Sequence, residues 1–142
     1  SEGAHPHPMI EGVPKGAYVL SDCNGLPDMI LIATGSEVHL ALDAKARLQE
    51  EGIKARLVSM PSWELFSEQT QDYRDSVLPP ECRARLAIEA GSPVGWHRWV
   101  GSRGDVVSID RFGESAPAGD LFKHFGFTVE NVVARAKDLV KG

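Results

Sequence analysis

Five short apolar runs recur along this chain: AYVL (17–20), MILIAT (29–34), ARLVSM (55–60), RLAIE (85–89) and VVSID (106–110). Runs of this length fit strands that are buried on both faces of a sheet. Stretches with helical periodicity separate most of them. Over 37–51, Val38, Ala41, Leu42, Ala44 and Leu48 mark one apolar stripe, and Gly52 stands where a left-handed C-cap belongs. Over 129–140, Val129, Val132, Val133, Ala136, Leu139 and Val140 recur at helical spacing. Glu130, Arg135, Lys137 and Asp138 take the opposite, wet face, and Thr128 offers an N-cap. The segment ELFSEQTQDYRDSVL (64–78) predicts one or two short helices, stopped by Pro79-Pro80.

Alternation of strands and helices predicts a parallel sheet covered on both faces. The first connection is the exception. Only SDCNGLPD (21–28) joins the first run to the second, and Asn24-Gly25 is a turn signal. A right-handed crossover needs about a dozen residues or more, so the first strand must run antiparallel. The predicted class is therefore α/β: a three-layer α/β/α domain with a five-stranded mixed sheet. Four strands are parallel and the first is antiparallel, at or near an edge. Residues 1–15, with Pro6, Pro8 and Pro14, read as a linker or N-terminal extension, and 16–142 as the α/β domain. With no initiator Met and no early core element, the chain reads as a piece of something larger.

Charge and cysteine content narrow the partners. The formal charge is −5, and the Lys and Arg residues are scattered rather than grouped, which argues against a nucleic-acid surface. No apolar run reaches the length of a membrane span, and no signal-peptide h-region opens the chain, so no membrane partner is expected. Cys23 and Cys82 are expected to be unpaired thiols, which fits a cytoplasmic location.

Candidate chemistry is sparse. In ATGSE (33–37), Gly35 stands alone where a dinucleotide site wants three glycines, and Thr34-x-x-Glu37 fits a capping box. The functional alternative is a weak anion site on Gly35, Ser36 and Glu37. In DRFGESAPAG (110–119), Ser115 resembles a nucleophile elbow, but Pro117 occupies a position that needs a small residue, so Ser115 reads as an N-cap. GSPVGWHRWVG (91–101) is the richest loop, because Trp96, His97, Arg98 and Trp99 sit between Gly95 and Gly101. His97 could act as a general base and Arg98 could hold an anion. Two tryptophans three apart beside an arginine equally form a packing anchor or an interface. His5 and His7 lack a third ligand, and His39 and His124 read as ordinary surface or boundary residues. No catalytic constellation and no metal-ligand set emerges.

The stretches KGAYVLSD (15–22), ILIATGSEVHLAL (30–42), GIKARLVSMPSWELF (52–66), EAGSPVGWHRWVG (89–101) and DRFGESAPAGDLFKHFGFTVENVVARAKDL (110–139) carry a resemblance of a different kind. Together they resemble the C-terminal, third domain of transketolase. SMPSWELF, GWHRWVG and FGFTVENVV are the specific elements; Glu64–Phe66 and Gly95–Arg98 favour this family over deoxyxylulose-phosphate synthase and 2-oxo-acid dehydrogenase subunits. The resemblance implies a parent transferase of the pentose phosphate pathway that moves a two-carbon ketol unit between sugar phosphates. It also implies thiamine diphosphate with a divalent metal, usually Mg2+. The parent would be a homodimer of three-domain chains, whose N-terminal and middle domains hold the cofactor and supply the catalytic residues. The implied third domain has a five-stranded sheet with one antiparallel strand. The family's GDG signature is absent, since RGD (103–105) is not it, so no cofactor and no catalytic residue are expected on this segment. The expected role is assembly and support, with Trp96, His97, Arg98 and Trp99 in the contact loop. A regulatory small-molecule site for an anion or nucleotide, using Gly35, Ser36 and Arg98, is the alternative from another class.

Overall fold

The computed structural model describes residues 15–35, 37–90, 94–108 and 127–142. Ser36, Ser115, His124 and most of the N-terminal extension, with His5 and His7, lie outside them. Strand β1 spans Tyr18–Ser21, β2 Met29–Ala33, β3 Ala55–Ser59, β4 Arg85–Glu89 and β5 Asp105–Ser108. They form one five-stranded sheet in the order β1-β3-β2-β4-β5. β3, β2, β4 and β5 are mutually parallel, and β1 lies antiparallel on β3 at the edge. The short first connection did force an antiparallel strand, although β1 does not pair with the strand that follows it. The chain steps past the end of β3 to reach β2, turning at Gly25 with φ 75°.

Helix α1 spans Glu37–Glu50, α2 Trp63–Ser67, α3 Gln71–Val77, α4 His97–Val100 and α5 Val129–Lys141. The single stretch 64–78 is thus two helices. Each has its own cap: the Ser62 hydroxyl accepts from the Leu65 amide, and the Thr70 hydroxyl from the Tyr73 amide.

β2 is buried at all five positions, and its alternating side chains feed two separate cores. Met29, Leu31 and Ala33 pack with Ala41, Ala44 and Leu48 of α1 and Val132, Val133 and Ala136 of α5. Ile30 and Ile32 point the other way, into a layer holding Phe66, Val77, Leu78, Trp96, Trp99 and Val100. The three-layer α/β/α architecture follows.

Three local details refine the expectations. The Gly52 cap is a Schellman motif: Ile53 N–H donates to the Leu48 carbonyl at 2.9 Å and Gly52 N–H to that of Gln49 at 3.0 Å, with Gly52 at φ 81°. Leu42 and Val140, placed in the apolar stripes by periodicity, are each 37 % exposed, because each helix buries a strip narrower than its full apolar arc. The capping box is displaced. α1 begins at Glu37, which puts that residue at the first helical position instead of the third, and its amide donates to the Thr34 carbonyl at 3.2 Å. Its carboxylate still sits in the turn where the helix dipole favours negative charge.

Both cysteines are free; Cys82 is buried, and burial pushes its thiol above the ordinary pKa range. Cys82 is therefore a packing residue that stays protonated at neutral pH.

Gly16 holds the edge of the sheet against α2. It adopts φ 88°, its carbonyl accepts from Ser62 N–H at 3.0 Å, and a β-carbon there would meet the Phe66 nitrogen at 2.3 Å. Gly16→Ala should therefore cost at least about 2 kcal/mol, adding overlap to left-handed strain. Gly52→Ala has left-handed strain but nothing within 4 Å, so its cost should stay near 1 kcal/mol. Urea unfolding of the two variants checks this, and equal losses would refute the close approach at Gly16.

Candidate functional site at the carboxyl edge of the sheet

β2 is followed by a connection to β3 on one side, and β3 by a connection back across to β4 on the other. The switch point of this sheet therefore lies between the carboxyl ends of β2 and β4, where open α/β sheets place ligands. Thr34, Ser62, Glu64, Glu89 and Trp96 line a depression of about 480 Å³ there. Among the described residues its lining includes two carboxylates, Glu64 and Glu89, and no Lys or Arg. Such an edge favours a cationic or hydroxyl-rich group over a phosphate.

The four residues of the contact loop divide into two pairs. Trp96 is 1 % and Trp99 5 % exposed, so both tryptophans belong to this domain's own core. Trp96 donates from Nε1 to Glu89 Oε1 at 2.9 Å and meets the Trp63 ring edge-on, centroids 5.1 Å apart. Trp99 packs on Phe66 at 5.2 Å. Residues three apart share one side of a short helix, and here that side faces the sheet. His97 and Arg98 stay exposed on the other side, with the Arg98 guanidinium 4.7 Å from the Trp99 ring centroid. His97 and Arg98 are therefore the two of the four that this loop leaves at the surface, over Trp96 and Trp99.

Gly95 explains the seating. With φ 92°, it brings backbone so close to Trp63 that a β-carbon would stand 2.6 Å from the ring. Trp63 and Glu89 are the partners that sequence reasoning missed. Glu89 closes strand β4, seven residues before the indole it holds, and no local spacing rule links the two.

At the β2 turn, Gly35 is exposed at φ 59°, and Glu37 is buried. The Val38 amide donates to the Gly35 carbonyl at 3.3 Å, so the Glu37 and Val38 amides both close turns of the chain itself. Ser36, the third member of that candidate anion site, lies outside the described residues. Among the described residues, no group of three or more His, Cys, Asp or Glu side chains is placed to hold a metal ion.

Removing Trp96 should cost about 3–5 kcal/mol, as for other large buried aromatics, whereas His97→Ala should stay within about 0.5 kcal/mol. Chemical denaturation of both variants tests the division of the loop. Comparable losses would show His97 to be structural as well.

Comparison with known proteins fits this geometry. Residues 16–128 match the family described as the transketolase-like TK C-terminal domain. A transketolase of Halalkalibacterium halodurans is 56% identical over 131 residues, which cover 92% of this chain and 20% of that protein. Transketolase 1 of Escherichia coli is 53% identical, again over 92% of this chain and 20% of its own length. Among solved structures, the transketolase from Leishmania mexicana superposes with a TM-score of 0.83 at 42% identity, covering 93% of this chain and 19% of that one. The chain thus spans about a fifth of the length of the curated relatives it matches. A mixed sheet edged by one antiparallel strand, the GWHRWVG loop seated on it and these likenesses agree: the chain belongs to the transketolase family, as its C-terminal domain.

Proposed function

We propose that this chain is the C-terminal part of a longer transketolase, which moves a two-carbon ketol unit between ketose and aldose phosphates, and that its own role is assembly. The observation that carries the reading is the use of its most reactive-looking residues. Trp96, Trp99 and Glu89 hold a loop onto the sheet instead of converging on a cleft with a base and a nucleophile.

The described residues do not fit thiamine diphosphate with its divalent metal. No trio of metal ligands comes together, and the depression at the switch point presents carboxylates to what would be a diphosphate. In this reading the cofactor and the catalytic residues belong to the N-terminal and middle domains of the same chain, in a homodimer. No helix among the described residues is long and apolar enough to cross a membrane, and we assign the parent enzyme to the cytoplasm.

Docking against those domains, and through them the register of the dimer, is assigned to the carboxyl edge. Val94 is 78% and Leu65 41% exposed there, large apolar side chains close to the exposed His97 and Arg98 in sequence or across the Trp63–Trp96 contact. An apolar patch beside an arginine is the composition of an interface centre.

Incubated with ketose and aldose phosphates, thiamine diphosphate and Mg2+, this chain alone should give no ketol transfer above background. Measurable turnover would overturn the assignment of catalysis to the remaining domains. In the complete protein, Val94→Asp combined with Arg98→Glu should raise the dimer dissociation constant about tenfold or more. Sedimentation at graded concentrations reads this, and an unchanged constant would remove the carboxyl edge from the interface.

A further inference from the structure

The opposite, amino edge of the sheet holds a second feature. Arg56 on β3 and Arg85 on β4 are both registered against Ile30 of β2, one on each side. Each reaches into the layer of short helices and collects carbonyl oxygens. Arg56 donates to the carbonyls of Ser76 and Val77 at the end of α3, at 2.8 and 3.1 Å. Its charge is balanced by Asp22, which it grips in two places, at 3.0 and 3.3 Å.

Arg85 has the same kind of setting without an ion pair. Its Nε donates to the Cys82 carbonyl at 3.0 Å, Nη1 to that of Trp99 at 2.8 Å, and Nη2 to those of Leu78 and Pro79 at 3.2 and 3.0 Å. Four of the five guanidinium N–H groups are thereby used, and one on Nη1 is left. Carbonyl dipoles satisfy the donors of this half-buried group, while the carboxylate that acts on it, Asp75, stays beyond ion-pair distance.

Beside it lies a depression of about 180 Å³, lined by Arg83, Arg85, Val100, Gly101, Ser102 and Arg103. Three of the 15 Lys and Arg residues of a chain with net charge −5 meet there, and among the described residues no Asp or Glu lines it. Among the described residues, Arg83 and Arg103 form no ion pair. Asp105, two residues beyond Arg103, is held by Arg135 at 2.8 Å. The walls are fixed by packing. The turn from Gly101 closes on Gly104 N–H at 3.2 Å, and a β-carbon on Gly104 would stand 2.3 Å from the Val100 oxygen and 2.7 Å from the Arg85 oxygen. The amides of Ser102 and Arg103, at the tip of this turn, donate to no acceptor among the described residues.

We propose that this pocket is a binding site for a phosphate-type oxyanion, free or as the end of a small phosphate ester, with Arg83 and Arg103 as its arms and Arg85 as its fixed base. Guanidinium forks suit tetrahedral oxyanions, and the volume is several times the roughly 30 Å³ share of one water. The site is separate from the assembly role and lies at the other end of the strands.

Amide and arginine Nε resonances of the 15N-labelled chain, titrated at fixed ionic strength with inorganic phosphate, glycerol 3-phosphate and acetate, test the proposal. The expected result is saturable shifts at Ser102, Arg103, Gly104 and the Arg85 Nε, with either phosphate species binding more tightly than acetate. A tighter fit of the ester than of inorganic phosphate would identify an esterified ligand, and the reverse a free ion. Arg83→Ser with Arg103→Ser, both at exposed positions, should keep the thermal midpoint while weakening phosphate at least about tenfold. Arg47→Ser, on α1 over the opposite face of the sheet and outside the lining, should leave binding unchanged. Shifts that never saturate, that are equal for all three anions, or that persist in the double variant would overturn the site.

Discussion

Everything in this domain is arranged around a central strand that has no face left for water. All five residues of β2 are buried, and a parallel strand in that position can be stable only if helices cover both sides. The two sides solve the problem differently. On one, two long helices approach closely over Ala41, Ala44 and Ala136, so little side-chain volume is needed between them. On the other, helices of five, seven and four residues cannot span the sheet by length. Large side chains make up the difference: Phe66, Trp96 and Trp99, with Trp63 and Tyr73 at the margin. The aromatic loop is thus a consequence of covering a sheet with short helices.

Short helices bring a second cost, since each ends in carbonyls without an intrahelical partner. Arg56 and Arg85 meet that need from the start of their strands, where a long side chain can reach under the helical layer while its stem packs against it. This is why two arginines stand on the face of β3 and β4 shared with Ile30. Only one of them forms an ion pair, and the other opens onto the arginine-lined depression. Rim pairs such as Arg47–Glu130 and Lys137–Glu51 join α1 to α5 at the surface, where each contributes about 0–1 kcal/mol.

The two ends of the strands differ in character. The carboxyl edge carries the seated aromatic loop, exposed Val94, His97 and Arg98, and an acidic depression; the amino edge carries the basic one. The two depressions thus lie at opposite ends of the strands and differ in the charge of the side chains that line them.

The amino-acid order by itself determined the class of the fold. Apolar runs at 29–34, 55–60 and 85–89 are strands because short, mainly aliphatic stretches of this kind need burial on both faces, and the eight residues of 21–28 fixed the direction of β1 by length alone. Gly52, Thr128 and the stripe through Val132 and Ala136 were equally legible, since caps and helical faces are set by neighbours a few residues away. Only the tertiary structure decided that β1 pairs with β3 and that Leu42 and Val140 stay half-wet. It alone placed Trp96 against Glu89 and Trp63, and Arg85 beside Arg83 and Arg103 without an ion pair. The physical reason is common to all of these: they depend on which residues distant in sequence become adjacent across the sheet, and periodicity reports which face a residue takes but not what it meets there.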